Sequence, residues 1–296
     1  MPTKKKSADP LTNTHCPQPK GTLIAIGGHE EKERTQQDDG KSQTDEMAND
    51  AILRRFVDEL RKKDLVVVIP TASSEPEEAA QDYVNVFTDL GVKRVEVLNI
   101  KTRNEAESME CIGLIKEADG FMFTGGDQLR LTALLGGTAM LMCLKQRYAN
   151  ERIVIAGTSA GATAMSTPMV YQGRDDAGIR KGEIHITTGL QFMHDVAIDT
   201  HFVARGRIVR MAQIISTNPG CLGLGLEEDT GVVVTEGREL EVIGSGIVVI
   251  VDGTHSTYTN IHEIAPETPF TIRDLRVHLL SCGERYTLPI QEQLYL

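Results

Sequence analysis

Short apolar runs alternate with longer amphipathic stretches over the first half of the chain. Thr22–Ile26 is an apolar run ending in Gly27-Gly28, which predicts a buried strand closed by a tight turn. Residues 51–63 carry apolar positions at helical spacing, and Leu65–Ile69 is a continuous β-branched run. Residues 76–90 and 104–118 read as helices, and Val95–Ile100 reads as a strand between them. Gly120–Gly126 is a strand ending in two glycines. Residues 128–149 read as a helix broken near Gly136-Gly137, and Ile153–Ala156 is a further strand. Continuous apolar strands alternating with helices indicate a parallel sheet covered on both faces. Right-handed crossovers then give an α/β fold, a three-layer α/β/α sandwich with a mostly parallel sheet. The texture changes over residues 222–252. Gly231–Thr235, Leu240–Gly244 and Gly246–Val251 are apolar runs separated by turn residues, which predicts C-terminal antiparallel hairpins extending the sheet.

Residues 1–20 are polar, with Pro10, Pro17 and Pro19 among them, and predict a disordered tail. Residues 30–50 have almost no apolar content and read as a solvated loop, or more sharply as a lid. With no Pro-, Gly- or Ser-rich linker in mid-chain and no internal repeat, residues 21–296 read as a single domain.

Composition narrows the class. Forty per cent of residues are apolar, too many for a disordered chain. The net charge of −11 argues against a general nucleic-acid partner, which needs a basic face. No apolar run approaches the roughly 18 residues of a membrane span. Cys16, Cys111, Cys143, Cys221 and Cys282 form no C-x-x-C pair, so they read as reduced thiols in a cytoplasmic protein and give no zinc site. The basic N-terminus lacks the apolar stretch of a secretory signal. The remaining histidines show no helical pairing, and no metal or organic cofactor is expected.

The chemistry concentrates in four places. Gly157-Thr158-Ser159-Ala160-Gly161 follows an apolar strand and precedes a segment able to start a helix. A nucleophile elbow needs that strand–turn–helix context; the alternative is an ordinary serine in a glycine-rich turn. A serine hydroxyl is a poor nucleophile without a base. His201, in Asp199-Thr200-His201-Phe202 followed by Arg205, Arg207 and Arg210, is the most informative histidine. Arg207 and Arg210 can be helix neighbours while Arg205 points elsewhere. The arginines form either a solvated basic helix or a cluster that holds substrate carboxylates. Gly125-Gly126-Asp127-Gln128 ends a strand and begins a helix. It offers backbone N–H groups for an oxyanion alongside the N–H of Ala160, a helix cap by Asp127, or both. Glu227-Glu228-Asp229 could supply an acid that orients His201, or form a charged surface turn.

In that order, these segments together with Gly225-Leu-Glu-Glu-Asp-Thr230 resemble the cyanophycinases, serine exopeptidases of the dipeptidase E (S51) group, from about residue 21 to the C-terminus. The resemblance implies a fold similar to class I glutamine amidotransferases. It implies hydrolysis of the aspartyl backbone of cyanophycin, multi-arginyl-poly-aspartate, to β-aspartyl-arginine. Carried over, Ser159 is the nucleophile, His201 the base and Glu228 the orienting acid, with Glu227 in its place should the register differ by one. Gly126, Asp127 and Ala160 supply the oxyanion hole. Gln128, Asp199, Thr200, Arg205, Arg207 and Arg210 line the substrate pocket. The family resemblance also implies a homodimer. Thr200 stands where the family often has Gln, and residues 30–50 exceed the usual loop; both bear on substrate preference. The order Ser…His…Glu differs from the Ser…acid…His of α/β-hydrolases. The alternative activity is an aspartyl dipeptidase acting on small Asp-X peptides.

Overall fold

The first strand, β1 (Thr22–Ile26), shows why the sheet must be covered twice. Leu23 and Ala25 face one core and Ile24 and Ile26 another, and all four are buried. Side chains of a strand alternate between faces, so two apolar faces require two covering layers. The computed structural model describes residues 18–28, 43–173 and 178–289. The expected tail, apart from residues 18–20, and the expected loop or lid up to residue 42 lie outside the described residues.

Along the chain follow α1 (Gln43–Glu59), β2 (Leu65–Ile69), α2 (Pro76–Asp89), β3 (Arg94–Val97), α3 (Met109–Glu117) and β4 (Gly120–Phe123). Then come α4 (Gln128–Leu135), α5 (Ala139–Asn150), β5 (Val154–Thr158) and α6 (Ala160–Ala164). The helix expected at 51–63 therefore starts eight residues earlier. The break near Gly136-Gly137 separates α4 from α5, where Thr138 caps the second helix by accepting the Leu141 N–H. Short strands follow: β6 (Ser166–Thr167), β7 (Met169–Gln172), β8 (His185–Thr187), β9 (Met193–His194) and β10 (Val196–Thr200). The C-terminal part holds α7 (Ile208–Thr217), β11 (Leu222–Leu226), β12 (Thr230–Thr235), β13 (Glu239–Gly244) and β14 (Val248–Asp252). It ends with β15 (Tyr258–Thr259), β16 (Ile272–Arg273), β17 (Arg276–Leu280) and β18 (Arg285–Thr287).

An eight-stranded sheet runs β18-β13-β12-β1-β5-β4-β2-β3. Its five strands β1, β5, β4, β2 and β3 are parallel, and β12, β13 and β18 extend it antiparallel. The expected α/β architecture is observed, and β12–β13 is an expected hairpin. The apolar run at 246–251 behaves differently. Its strand β14 joins a second sheet, β17-β14-β11-β10-β6-β9, in which β10 and β11 are parallel. Phe56, Val57, Tyr83 and Phe87 of α1 and α2 cover one face of the first sheet. On the other face, Ile115, Leu131 and Leu144 of α3–α5 share a core with Ile198, Leu224 and Ile250 of the second sheet. The outer face of the second sheet packs under Met211, Ile214 and Ile215 of α7. The α/β layers thus gain a further sheet and helix on one side.

The four described cysteines are free thiols. Burial pushes the Cys111 and Cys221 thiols up to about 11, which leaves them protonated and unreactive at neutral pH. No described helix is long and apolar enough to cross a membrane.

Candidate active site

The C-terminal ends of β1 and β5, adjacent in the first sheet, meet the end of β10 in the second. Ser159 is the residue between β5 and α6, held at φ 48°, ψ −111°. A positive φ in a non-glycine residue is strained, and such strain gathers where function requires it. The Ser159 N–H donates to the Ile26 carbonyl (3.0 Å). His201, directly after β10, is also left-handed at φ 50°, and its N–H donates to the Gly27 carbonyl (3.0 Å). Both residues are therefore hung from the end of β1. Ser159 Oγ lies 3.1 Å from His201 Nε2, and His201 Nδ1 lies 2.7 Å from Glu228 Oε1. An ionised carboxylate only accepts, so the hydrogen-bond network puts the ring proton on Nδ1 and leaves Nε2 to receive the serine proton. Glu228 sits where the chain passes from β11 of the second sheet to β12 of the first. Of the two glutamates considered, it is Glu228 that reaches the ring.

Burial lowers the His201 pKa below the usual histidine value. The hydrogen bond that Nδ1–H donates to Glu228 opposes this, and the nearby charges of Arg205 and Arg207 reinforce it. The shift favours the neutral imidazole, the form a base must have.

Two glycines make room. A Cβ on Gly28, at φ 102°, would stand 2.5 Å from His201 Cε1 and 2.6 Å from Nε2. Only a residue without a side chain leaves the line from His201 to Ser159 open. Gly126, at φ 136°, is pressed against the Ala72 carbonyl, 2.0 Å from where its Cβ would be. A Cβ on the adjoining Gly125 would lie 3.5 Å from Ser159 Cβ, which sets this turn beside the serine. Among the described residues, no acceptor takes the Gly126 N–H, or the Ala160 N–H at the first position of α6. Asp127 differs from expectation. Its N–H donates to the Ala72 carbonyl (2.9 Å), so it is not open to an oxyanion. Its side chain instead caps α4, accepting the Leu129 N–H at 2.8 Å.

Residues 40–243 match peptidase family S51. The chain belongs to this family of serine peptidases. Curated relatives named cyanophycinase cover nearly all of it. One from Synechococcus elongatus is 36% identical over 270 residues, 91% of this chain and 80% of its own length. One from Trichormus variabilis is 33% identical over 91% of this chain and 86% of its own. One from Geminocystis herdmanii is 34% identical over 90% of this chain and 93% of its own. The crystal structure of a peptidase from an acI-B1 Actinobacterium superposes with a TM-score of 0.60 at 20% identity. It covers 92% of this chain and 98% of that one, a likeness of fold.

In this S51 peptidase the residues expected to line a substrate pocket are largely turned on one another. Asp199 is 1% exposed. It accepts from Arg207 Nη1 (3.1 Å) and Arg210 Nε (2.8 Å), and also from Arg210 Nη2. Arg207 also donates to the Thr200 carbonyl (2.6 Å) and Arg210 to the Gly173 carbonyl (3.3 Å). Thr200 is buried in β10, and its N–H donates to Asp199 Oδ1 (3.0 Å). Gln128 gives its side-chain N–H to the Val170 carbonyl (3.0 Å). The reason is electrostatic: a buried carboxylate needs countercharges and donors, and two guanidiniums within reach supply both. Of the three arginines, Arg205 is the exposed one. Its main-chain N–H donates to the His201 carbonyl (3.1 Å).

Sequence reasoning treated Gly28 as part of a tight turn and missed its contact with His201. The available signal was topological. Parallel sheets gather their sites at the carboxyl ends of strands, and Gly27-Gly28 closes such a strand.

Proposed function

We propose that this chain is a cyanophycinase, hydrolysing the aspartyl backbone of multi-arginyl-poly-aspartate to β-aspartyl-arginine. The observation that carries the reading is the continuous line from Ser159 Oγ through both ring nitrogens of His201 to Glu228. It gains weight from relatives of that name spanning about nine-tenths of the chain.

In this reading Ser159 Oγ attacks the backbone carbonyl carbon of an aspartyl residue while His201 Nε2 takes the hydroxyl proton. Glu228 stabilises the resulting imidazolium through Nδ1. The carbonyl oxygen becomes an oxyanion facing the N–H groups of Ala160 and Gly126, and donors fixed in advance for that charge lower the barrier. The C–N bond then breaks. His201 returns the proton to the leaving amine, leaving an acyl ester on Ser159. Water, deprotonated by the same nitrogen, hydrolyses the ester and restores the serine. Each arginine branch of the polymer carries a guanidinium and a free carboxylate. In this reading Arg205, exposed and close enough to lower the His201 pKa, is the arginine assigned to a substrate carboxylate, whereas Arg207 and Arg210 are committed to the buried Asp199.

We place residues 21–296 in one catalytic unit, because the second sheet supplies His201 and the first supplies Ser159. The resemblance to the family and the unpaired thiols favour a cytoplasmic homodimer, which light scattering of the purified chain and fractionation of cells test. The substrate is tested by incubating the chain separately with insoluble cyanophycin and with short Asp-X peptides, reading products by mass. Release of β-aspartyl-arginine from the polymer is the expected result. Cleavage of Asp-X peptides alone transfers the reading to an aspartyl dipeptidase.

A further inference from the structure

The turn that carries His201 is pinned by a second carboxylate. Glu227, at the end of β11, accepts the main-chain N–H groups of Val203 and Ala204, the latter at 3.1 Å. These donors lie two and three residues past His201, in an exposed turn. The Glu227 main chain is itself fixed. Its N–H donates to the Ile247 carbonyl (3.3 Å), and its carbonyl is packed against Gly27, 1.8 Å from where a Cβ there would be. The next residues are equally held. Thr230 Oγ1 donates to the Glu228 carbonyl (2.9 Å) and accepts the Gly246 N–H (2.8 Å), and the Asp229 N–H donates to the Gly28 carbonyl (3.2 Å).

We infer that Glu227 is a positioning residue that sets where the His201 imidazole stands, through the Val203–Ala204 turn. The two neighbouring glutamates then divide the work on one histidine: Glu228 fixes the ring through Nδ1, and Glu227 fixes the backbone that carries it. The second hold matters because His201 sits at a positive φ, at the edge of the exposed Val203–Ala204 turn. Its N–H is held by Gly27, and the Phe202 N–H is held by the Leu226 carbonyl (3.1 Å). A carboxylate on two N–H groups makes charge-assisted bonds, stronger than the carbonyl contacts around it. Without it the turn is free to shift, and a shift of about 1 Å in a reacting group is enough to slow chemistry a hundredfold.

The inference rests on His201 acting as the base, so its test has one readout that needs no substrate. In Glu227→Gln the side chain keeps its shape, but its amide accepts poorly from two donors and turns an N–H toward one of them. We expect kcat on a soluble arginyl-aspartate oligomer to fall by roughly tenfold to a hundredfold with KM within about twofold. We also expect the downfield proton resonance of His201 Nδ1–H to move or broaden, while the melting temperature stays close to that of the parent. Glu228→Gln identifies that resonance by altering it most. Glu227→Asp keeps the charge with a shorter reach and should lose less activity; it carries the same test if the Gln variant does not fold. Parent-like kcat together with an unmoved resonance overturns the inference. If the parent cleaves no oligomer yet the resonance moves in Glu227→Gln, the substrate reading fails and the positioning role stands.

Discussion

The Cβ position on Gly28 lies inside contact distance of both His201 Cε1 and Nε2. Gly28→Ala must therefore push the imidazole off Ser159 or twist a backbone that sits at φ 102°. We expect kcat to fall by about a hundredfold with little change in KM, checked by steady-state kinetics on a soluble oligomer. The charge around His201 gives a second prediction with a sign. Burial and the positive charges of Arg205 and Arg207 disfavour the imidazolium, so the acid limb of kcat/KM lies below the usual histidine value of about 6.5. Activity is thus retained as pH falls toward that limb and lost only through it. Arg205→Gln removes one opposing charge and should move the limb upward; a downward move contradicts the reading. At this scale the sequence was informative where chemistry is local. Ser159 stood out because a strand, two glycines and a helix start all lie within a few residues of it. The contact between Gly28 and His201 was not legible, because it forms only when β1 and β10, far apart in sequence and in different sheets, are brought together.

At the scale of elements, β10 and α7 are joined by the ion cluster of Asp199, Arg207 and Arg210. The Asp199 side chain is 2% exposed, and those of Arg207 and Arg210 are 10% and 6%. Replacing such a carboxylate by alanine removes the negative charge that two buried guanidiniums share. Asp199→Ala should lower unfolding stability by about 3 kcal/mol or more, read from the denaturant midpoint. A solvent-facing substrate ligand would instead cost stability little and raise KM. The spacing of Arg207 and Arg210 did show that they could share a helix face. It could not show whether that face meets solvent or Asp199, since the pattern of charges is the same in both cases. The second sheet escaped sequence reading for a similar reason. β6 and β9 are two residues each, too short to show a period, and β14 has the same apolar run whether it extends one sheet or joins another.

Across the whole molecule, the two sheets meet where the chemistry is placed. Ser159 hangs from the first, His201 ends a strand of the second, and Glu227–Asp229 is the crossing between them. The long parallel strands were legible because β1, β2, β4 and β5 are continuous apolar runs buried on both faces. The seam was not, because nothing local marks which strands of the C-terminal part turn back to the first sheet. The central claim, that Ser159 attacks the aspartyl backbone with His201 as base, is tested most directly by mass analysis of products. Purified protein and Ser159→Ala are incubated side by side with cyanophycin. The account predicts β-aspartyl-arginine from the unmutated chain and a rate lower by roughly a thousandfold or more from the variant. Release of the dipeptide at similar rates by both would contradict it.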